Sequence, residues 1–165
     1  ALNQIAPYDW AGFLRTRLDS VAPDTPTEAL RNGGWKIVYN DTPNEIEEAR
    51  DDVRKRVTLT FSIGLTLGED GNVVDVIYGG PAYKAGIGPG MKITAVNGQQ
   101  YSPDTLKDAI IDAKSNSAPI RLIVANGAEV ETRQIDYHGG MRYPHLERDS
   151  SHPDYIAEIF HRLAQ

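Results

Sequence analysis

Apolar residues in the first third of the chain recur every three or four positions. Trp10, Phe13, Leu14, Leu18 and Val21 share one face of a predicted helix, with Asp9 as its cap. Thr25-Pro26-Thr27-Glu28 and Thr42-Pro43-Asn44-Glu45 each supply a hydroxyl cap, a proline at the first helical position and a glutamate three residues after the cap. Proline has no amide hydrogen to waste there, and the glutamate closes a capping box. The first of these helices stops at Gly33-Gly34. The second carries Ile46, Ala49 and Val53 as a narrow apolar face and runs into Arg54-Lys55-Arg56, read as a solvated end with cations at the negative pole. Between them Trp35-Lys36-Ile37-Val38-Tyr39 reads as a strand closed by the Asn40-Asp41 turn.

From Val57 the pattern shortens. Val57 to Leu67, Val73 to Tyr78, Lys92 to Val96, Ile120 to Val124 and Val130 to Ile135 are β-branched runs separated by glycine turns such as Asn97-Gly98 and Asn126-Gly127. A short helix is expected at Pro81 to Ala85. A longer one runs from Pro103, capped by Ser102, to about Lys114, with Leu106, Ile110 and Ala113 on its core face. Five strands and two helices make an α+β fold, a small partly open β-barrel. Gly139 to Ser151 reads as polar loop. After Ser151-His152-Pro153-Asp154, a terminal helix carries Ile156, Ile159, Phe160 and Leu163 as a stripe that must dock, most simply on the N-terminal helices. The expected division is 1–55, a helical extension; 56–136, the small α+β domain; and 137–165, a tail with a helix.

Composition narrows the possible chemistry. The chain has 165 residues and a net charge of −6, which disfavours a nucleic-acid partner because phosphate binding needs a basic face. It has no cysteine, so disulfides, thiolate catalysis and Cys-ligated metals are excluded. No apolar run approaches the roughly 20 residues that span a bilayer. Opening on Ala1 with no signal-peptide pattern, the sequence reads as a processed or excised piece, and its compartment stays undetermined.

The most specific stretch runs Gly80-Pro81-Ala82-Tyr83-Lys84-Ala85-Gly86-Ile87-Gly88-Pro89-Gly90-Met91-Lys92-Ile93-Thr94-Ala95-Val96-Asn97-Gly98. It resembles the middle of a PDZ domain, with Met91 where most members have aspartate. In that family a ligand carboxylate sits in a loop that Ser62-Ile63-Gly64-Leu65 fills here. Glycine there lets successive amide N–H groups converge on an anion. The resemblance implies that Leu65-Thr66-Leu67 has an edge free to accept a partner strand, and that Pro103, Lys107 and Ile110 face the ligand from the helix. Pro103 stands where domains that read Ser or Thr have a histidine, so the implied selectivity is apolar or relaxed.

A second resemblance covers nearly the whole chain. Asn3-Gln4-Ile5-Ala6-Pro7-Tyr8-Asp9-Trp10, Gly33-Gly34-Trp35-Lys36-Ile37-Val38-Tyr39, Pro89-Gly90-Met91-Lys92 and Arg142-Tyr143-Pro144-His145-Leu146-Glu147-Arg148 are similar to the C-terminal third of the glycyl aminopeptidase family. These are zinc metallopeptidases with a thermolysin-like catalytic domain followed by a PDZ domain. The resemblance implies a non-catalytic portion that binds extended peptides or protein C-termini by strand addition, and so delivers or gates substrate. Its other partner would be the parent's catalytic domain, and the parent's compartment, periplasmic or secreted on this likeness, is open. Zinc is expected only in the missing domain, because the chain has no His-Glu-x-x-His. Its four histidines, His138, His145, His152 and His161, are spaced too widely to put two ligands on one helical turn. No catalytic nucleophile stands out. The alternatives are a structural docking domain with an unused groove and, last, a stand-alone hydrolase.

Overall fold

The structure, a computed structural model, describes residues 1–19 and 27–161. Val21, Thr25, Pro26 and Leu163, all assigned to helices from sequence, lie outside them. The described chain forms two compact units, 1–36 with 148–165, and 37–147.

In the first unit, α1 (Leu2–Ile5), α2 (Trp10–Asp19) and α3 (Glu28–Asn32) precede the start of β1 (Trp35–Asn40). Asp9 caps α2 as expected, its carboxylate accepting from the Gly12 amide at 2.9 Å. Tyr8, Trp10 and Phe13 pack edge-on, with centroids 5.2 to 6.2 Å apart. Arg148 gathers the carbonyls of Gly34, Asp149 and His152 and pairs with Asp154 at 3.3 Å. Asp154, rather than Ser151, caps the last helix, accepting from the Ala157 amide at 2.9 Å and from the Trp35 indole at 2.9 Å.

In the second unit, α4 (Glu45–Arg54) leads into β2 (Arg56–Leu59), β3 (Leu65–Gly68), β4 (Val73–Val76), α5 (Pro81–Lys84), β5 (Lys92–Val96) and β6 (Gln99–Gln100). The chain continues through α6 (Pro103–Ala113), β7 (Ile120–Asn126), β8 (Glu129–Ile135) and β9 (Tyr143–Arg148) to α7 (Tyr155–Phe160), which belongs to the first unit. The strands form three open sheets, β1-β9, β2-β3-β4 and β6-β5-β7-β8, so the α+β fold is as expected and its partly open barrel is not closed. Leu106, Ile110 and Ala113 of α6 are buried among Leu65, Leu67, Ile93, Val96, Leu122 and Ile135, so the period-3.6 stripe and the period-2 strands meet in one core.

Several expectations are corrected. Gly139 to Ser151 is not all loop, because Tyr143–Arg148 is a strand whose partner, β1, lies a hundred residues away and is invisible to a local pattern. The cap of α4 is Asn44, which accepts from the Ile46 amide at 3.0 Å, so Pro43 stands before the helix. Its apolar face is not buried: Ile46 is 71% and Val53 85% exposed. Across the expected limits at 55 and 136, Asp51 of α4 holds Thr58, and Ser62 and Asn44 bind the backbone at Arg142 and Pro144. The largest correction concerns the Val57 to Leu67 run. It is a hairpin of two strands, because Thr60 to Gly64 turns the chain back on itself.

Candidate functional site

The sequence places the site on the loop before β3 and on the edge of that strand. Ser62 is buried, its Oγ accepting from the Arg142 amide at 3.1 Å. Ile63 is in the core, and its carbonyl accepts from the Ala82 amide at 2.9 Å. Gly64 has φ +76°, a conformation that other residues adopt with difficulty, and this turns its amide inward. The amides of Ser62 and Gly64 do converge, as a nest requires, and both donate to one acceptor: the Leu59 carbonyl, at 3.1 and 3.0 Å.

Both edges of β3 are paired. On one side β4 runs antiparallel, with Leu65 opposite Val76 and Thr66 opposite Asp75. On the other, β2 runs antiparallel in continuous register, Val57 opposite Leu67, Thr58 opposite Thr66 and Leu59 opposite Leu65. The expected free edge at Leu65-Thr66-Leu67 is therefore overturned. The strand just upstream takes it, because Val57 and Leu59 alternate in phase with Leu65 and Leu67 and all four bury on the same face.

The outer face of β2 is held by a side chain of the preceding helix. Asp51 on α4 accepts from the Thr58 amide at 2.8 Å and from the Thr58 hydroxyl at 2.7 Å. Beyond it lies a cavity of about 330 Å³ lined by Glu47, Glu48, Asp51, Arg56, Pro103 and Lys107 among others. Two of the three helix residues assigned to ligand binding thus face β2, while Ile110 is fully buried in the core and faces no opening. Tyr143, also on this cavity, has its phenol pKa raised by burial and then by the carboxylates of Glu48, Asp51 and Glu47. Sequence reasoning missed Val57, Leu59 and Asp51. The readable signal was the two apolar pairs flanking a five-residue loop that ends in glycine.

The serines and histidines that could carry chemistry are engaged locally. Ser62 Oγ is tied to a backbone amide. Ser151, His152 and Asp149 make contact within one turn, where the Ser151 hydroxyl and amide both satisfy Asp149. His138 Nδ1 meets the Ala113 carbonyl at 2.7 Å, and His145 Nε2 meets that of Thr42 at 2.9 Å. Among the described residues no group of three or more His, Asp or Glu is placed to hold a metal ion. Nor is any helix among them long and apolar enough to cross a membrane.

Two open sheets that share one core with α6, and a glycine-turned loop before β3, define an α+β module of PDZ-like fold. An aminopeptidase N family protein from Idiomarina loihiensis matches 90% of this chain at a TM-score of 0.57 and 19% identity. This chain spans only 26% of that protein's length, and at that identity the likeness concerns the fold. The HtrA3 PDZ domain bound to a phage-derived ligand matches 72% of this chain, which covers 96% of it, at 17% identity and a TM-score of 0.33. The photosystem II D1 C-terminal processing protease matches 79% of this chain, which covers 37% of it, at 20% identity and 0.34. The last two superpose too loosely to carry an argument. No protein-family model matches the chain, and no curated protein does.

Proposed function

We propose that residues 37–147 form a closed PDZ-like module, which serves a larger protein as an architectural docking domain while its peptide-accepting edge is filled by its own strand. One observation carries this reading: β2 occupies the β3 edge in full register, and the Leu59 carbonyl takes the amides of Ser62 and Gly64. An extended peptide adding to a sheet needs unpaired main-chain groups. Here those groups are already satisfied. Val57 and Leu59 are 4% and 1% exposed, and burial of that order stabilises by about 1.5–3 kcal/mol per side chain.

Docking is supported by the apolar surface around the same loop. Tyr78 is 85% exposed and packs at a tilt on Tyr83, with centroids 4.8 Å apart, Ile77 lies against Gly64, and Phe61 packs with Tyr39 at 5.5 Å. Clustered aromatics of this kind mark protein–protein contact. On this reading the parent is a metallopeptidase of the glycyl aminopeptidase kind, the partner is its catalytic domain, and zinc and hydrolysis belong to that domain.

The test is a chemical-shift titration of the labelled chain with a C-terminal peptide library. The amides of Ile63 to Leu67 should stay in place at micromolar peptide, with the Val57 and Leu67 amides, which face each other across β2 and β3, strongly protected from exchange. Saturable shifts at those amides in that range would show an open groove and overturn the closed reading.

A further inference from the structure

We propose that β2 is an exchangeable occupant of the β3 edge, and that its release admits an extended segment of another protein with apolar residues two apart, in the places held by Val57 and Leu59. This rests on the reading of β2 as the strand that closes the groove. It adds that the closure is reversible, and that β2 itself specifies what can replace it.

The attachments of β2 are few. It has four residues, and its hold on the core consists of two side chains, Val57 and Leu59. Outside, among the described residues, the side chain that holds its backbone is Asp51, through Thr58. The helix that brings Asp51 buries none of its own residues, so it adds no apolar packing of its own behind β2. At the junction Lys55 sits at φ +53°, a left-handed conformation disfavoured for a residue with a Cβ and relieved when the chain straightens. The cavity of about 330 Å³ between β2 and Pro103 and Lys107 gives the strand room to leave sideways. Arg56 at the start of β2 and Thr60 after it are respectively exposed and half-buried, which suits hinge points.

The vacated site would be specific. The register of β2 against β3 fixes two side-chain positions, opposite Leu65 and Leu67, both fully apolar, with the residue between them facing outward as Thr58 does. The amides of Ser62 and Gly64 would be left without the Leu59 carbonyl and would need an oxygen from the newcomer. A tethered strand competes at an effective concentration in the millimolar range, so the intact protein binds an incoming segment weakly, in proportion to the small fraction in which β2 is away.

The experiment uses the full chain and a fluorescein-labelled hexapeptide ending in Val-Thr-Leu, with fluorescence anisotropy as the readout. Thr58 and Thr66 lie opposite each other, and the Thr58 amide turns away to Asp51, so this is a close, non-hydrogen-bonded pair suited to a cross-strand disulfide. The chain has no other cysteine. Asp51→Ala should tighten peptide binding about tenfold over the unchanged protein. Thr58→Cys with Thr66→Cys should bind peptide when reduced and lose it at least tenfold when oxidised, the loss reversing with reductant. Replacing the two apolar peptide residues by Asp should abolish binding, and amidating the peptide terminus tells a carboxylate from a carbonyl as the oxygen offered to the nest. If neither Asp51→Ala nor the reduced double variant binds at millimolar peptide, exchange is refuted while the closed reading stands. Tight binding by the unchanged protein, with equally tight binding by the oxidised double variant, overturns both. Self-association of Asp51→Ala in place of peptide binding would make β2 a strand swapped between copies, and that also counts against the proposal.

Discussion

The two units of this chain are held together by different physics. From Val57 to Met141 the core is aliphatic and closely interleaved, with Leu67, Ile93, Leu106, Ile110, Leu122 and Ile135 each essentially inaccessible. In the other unit α1, α2, α3 and α7 bury no side chain among the described residues. What gives that unit shape is polar: one guanidinium on three carbonyls, one carboxylate shared by a helix cap and an indole, and a small cluster of aromatic edges. The contrast teaches where stability and where interaction surface reside. Burial makes the second unit self-sufficient, whereas the first keeps Leu18 at 84% and Phe160 at 82% exposure.

The sharpest way to break this comparison is to remove equal volume from each unit. Ile110→Ala deletes a fully buried side chain between α6 and the sheets, and should cost about 2–5 kcal/mol, the usual range for a core truncation. Ile159→Ala, at a site 75% exposed, should stay within about 0.5 kcal/mol. Urea denaturation followed by far-UV circular dichroism measures both, and equal losses would show that the flanking unit has a core after all.

Next in size are two glycines with positive φ. Gly71 has φ +88°, and a Cβ there would lie 2.4 Å from the Ile93 carbonyl oxygen, a backbone atom that cannot step aside. Gly64 has φ +76°, but its nearest neighbour would be the Ile77 Cβ at 3.4 Å, an ordinary contact. Gly64→Ala should therefore cost only the conformational strain, about 1–2 kcal/mol. Gly71→Ala should cost about 2–4 kcal/mol, because overpacking adds to the same strain. The same denaturation curves rank them, and the reverse order would mean that the loop before β3 is the tighter place.

The units also differ in how far their structure could be read from sequence. Between 57 and 136 the signals are local: Ser102 caps α6 at Thr105, Gly86 ends α5, and Asn97 and Gly98 turn the chain between β5 and β6. Each needs only a few neighbouring residues, so pattern and fold agree. The free edge failed for a different reason. Alternation at Val57, Leu59, Leu65 and Leu67 fixes which face is buried, yet says nothing about which strand lies alongside, and a hairpin and a continuous strand share that alternation. In the flanks, Arg148 and Asp154 act on Gly34 and Trp35 across more than a hundred residues. Nothing in their immediate sequence announces a role other than solvated charge. At α7 Ser151 and Asp154 both suit a helix start, and Asp154, which also takes the distant Trp35 indole, is the cap.

Arg148 sharpens the comparison in the flanking unit. Arg148→Ala removes charge-assisted bonds to Gly34, Asp149 and His152, on a side chain one-third exposed. The loss should be local, about 1–2 kcal/mol after solvent screening, and visible as faster exchange of the Trp35 indole hydrogen. The amides of β5 and β7 should keep their protection. Arg148→Lys should not restore the indole signal fully, since one ammonium cannot reach three carbonyls in the geometry of a planar fork.

The smallest effects separate the units by pH, and they have opposite signs. Asp154 is held below its ordinary value of 3.8, first by the Ala157 amide and then by the Trp35 indole; Asp149 is lowered likewise, first by the Ser151 hydroxyl. A depressed carboxyl contributes stability that is present above 3.8 and fades as pH falls through the lower folded value. In the other unit His138 is raised above 6.5, first by the Ala113 carbonyl at the end of α6 and then by Asp136. Its contribution is complete below 6.5 and is lost as pH rises through the higher folded value. Acid should thus loosen the flanking unit first, seen as a shift and exchange broadening of the Trp35 indole resonance while the β5 and β7 amides stay fixed. Mild alkali should touch only the end of α6, as small shifts at Ala113 and Lys114 that His138→Gln abolishes. If acid moves the β7 amides together with the indole, the two units share one cooperative transition and the contrast between a buried core and a polar frame does not divide the molecule.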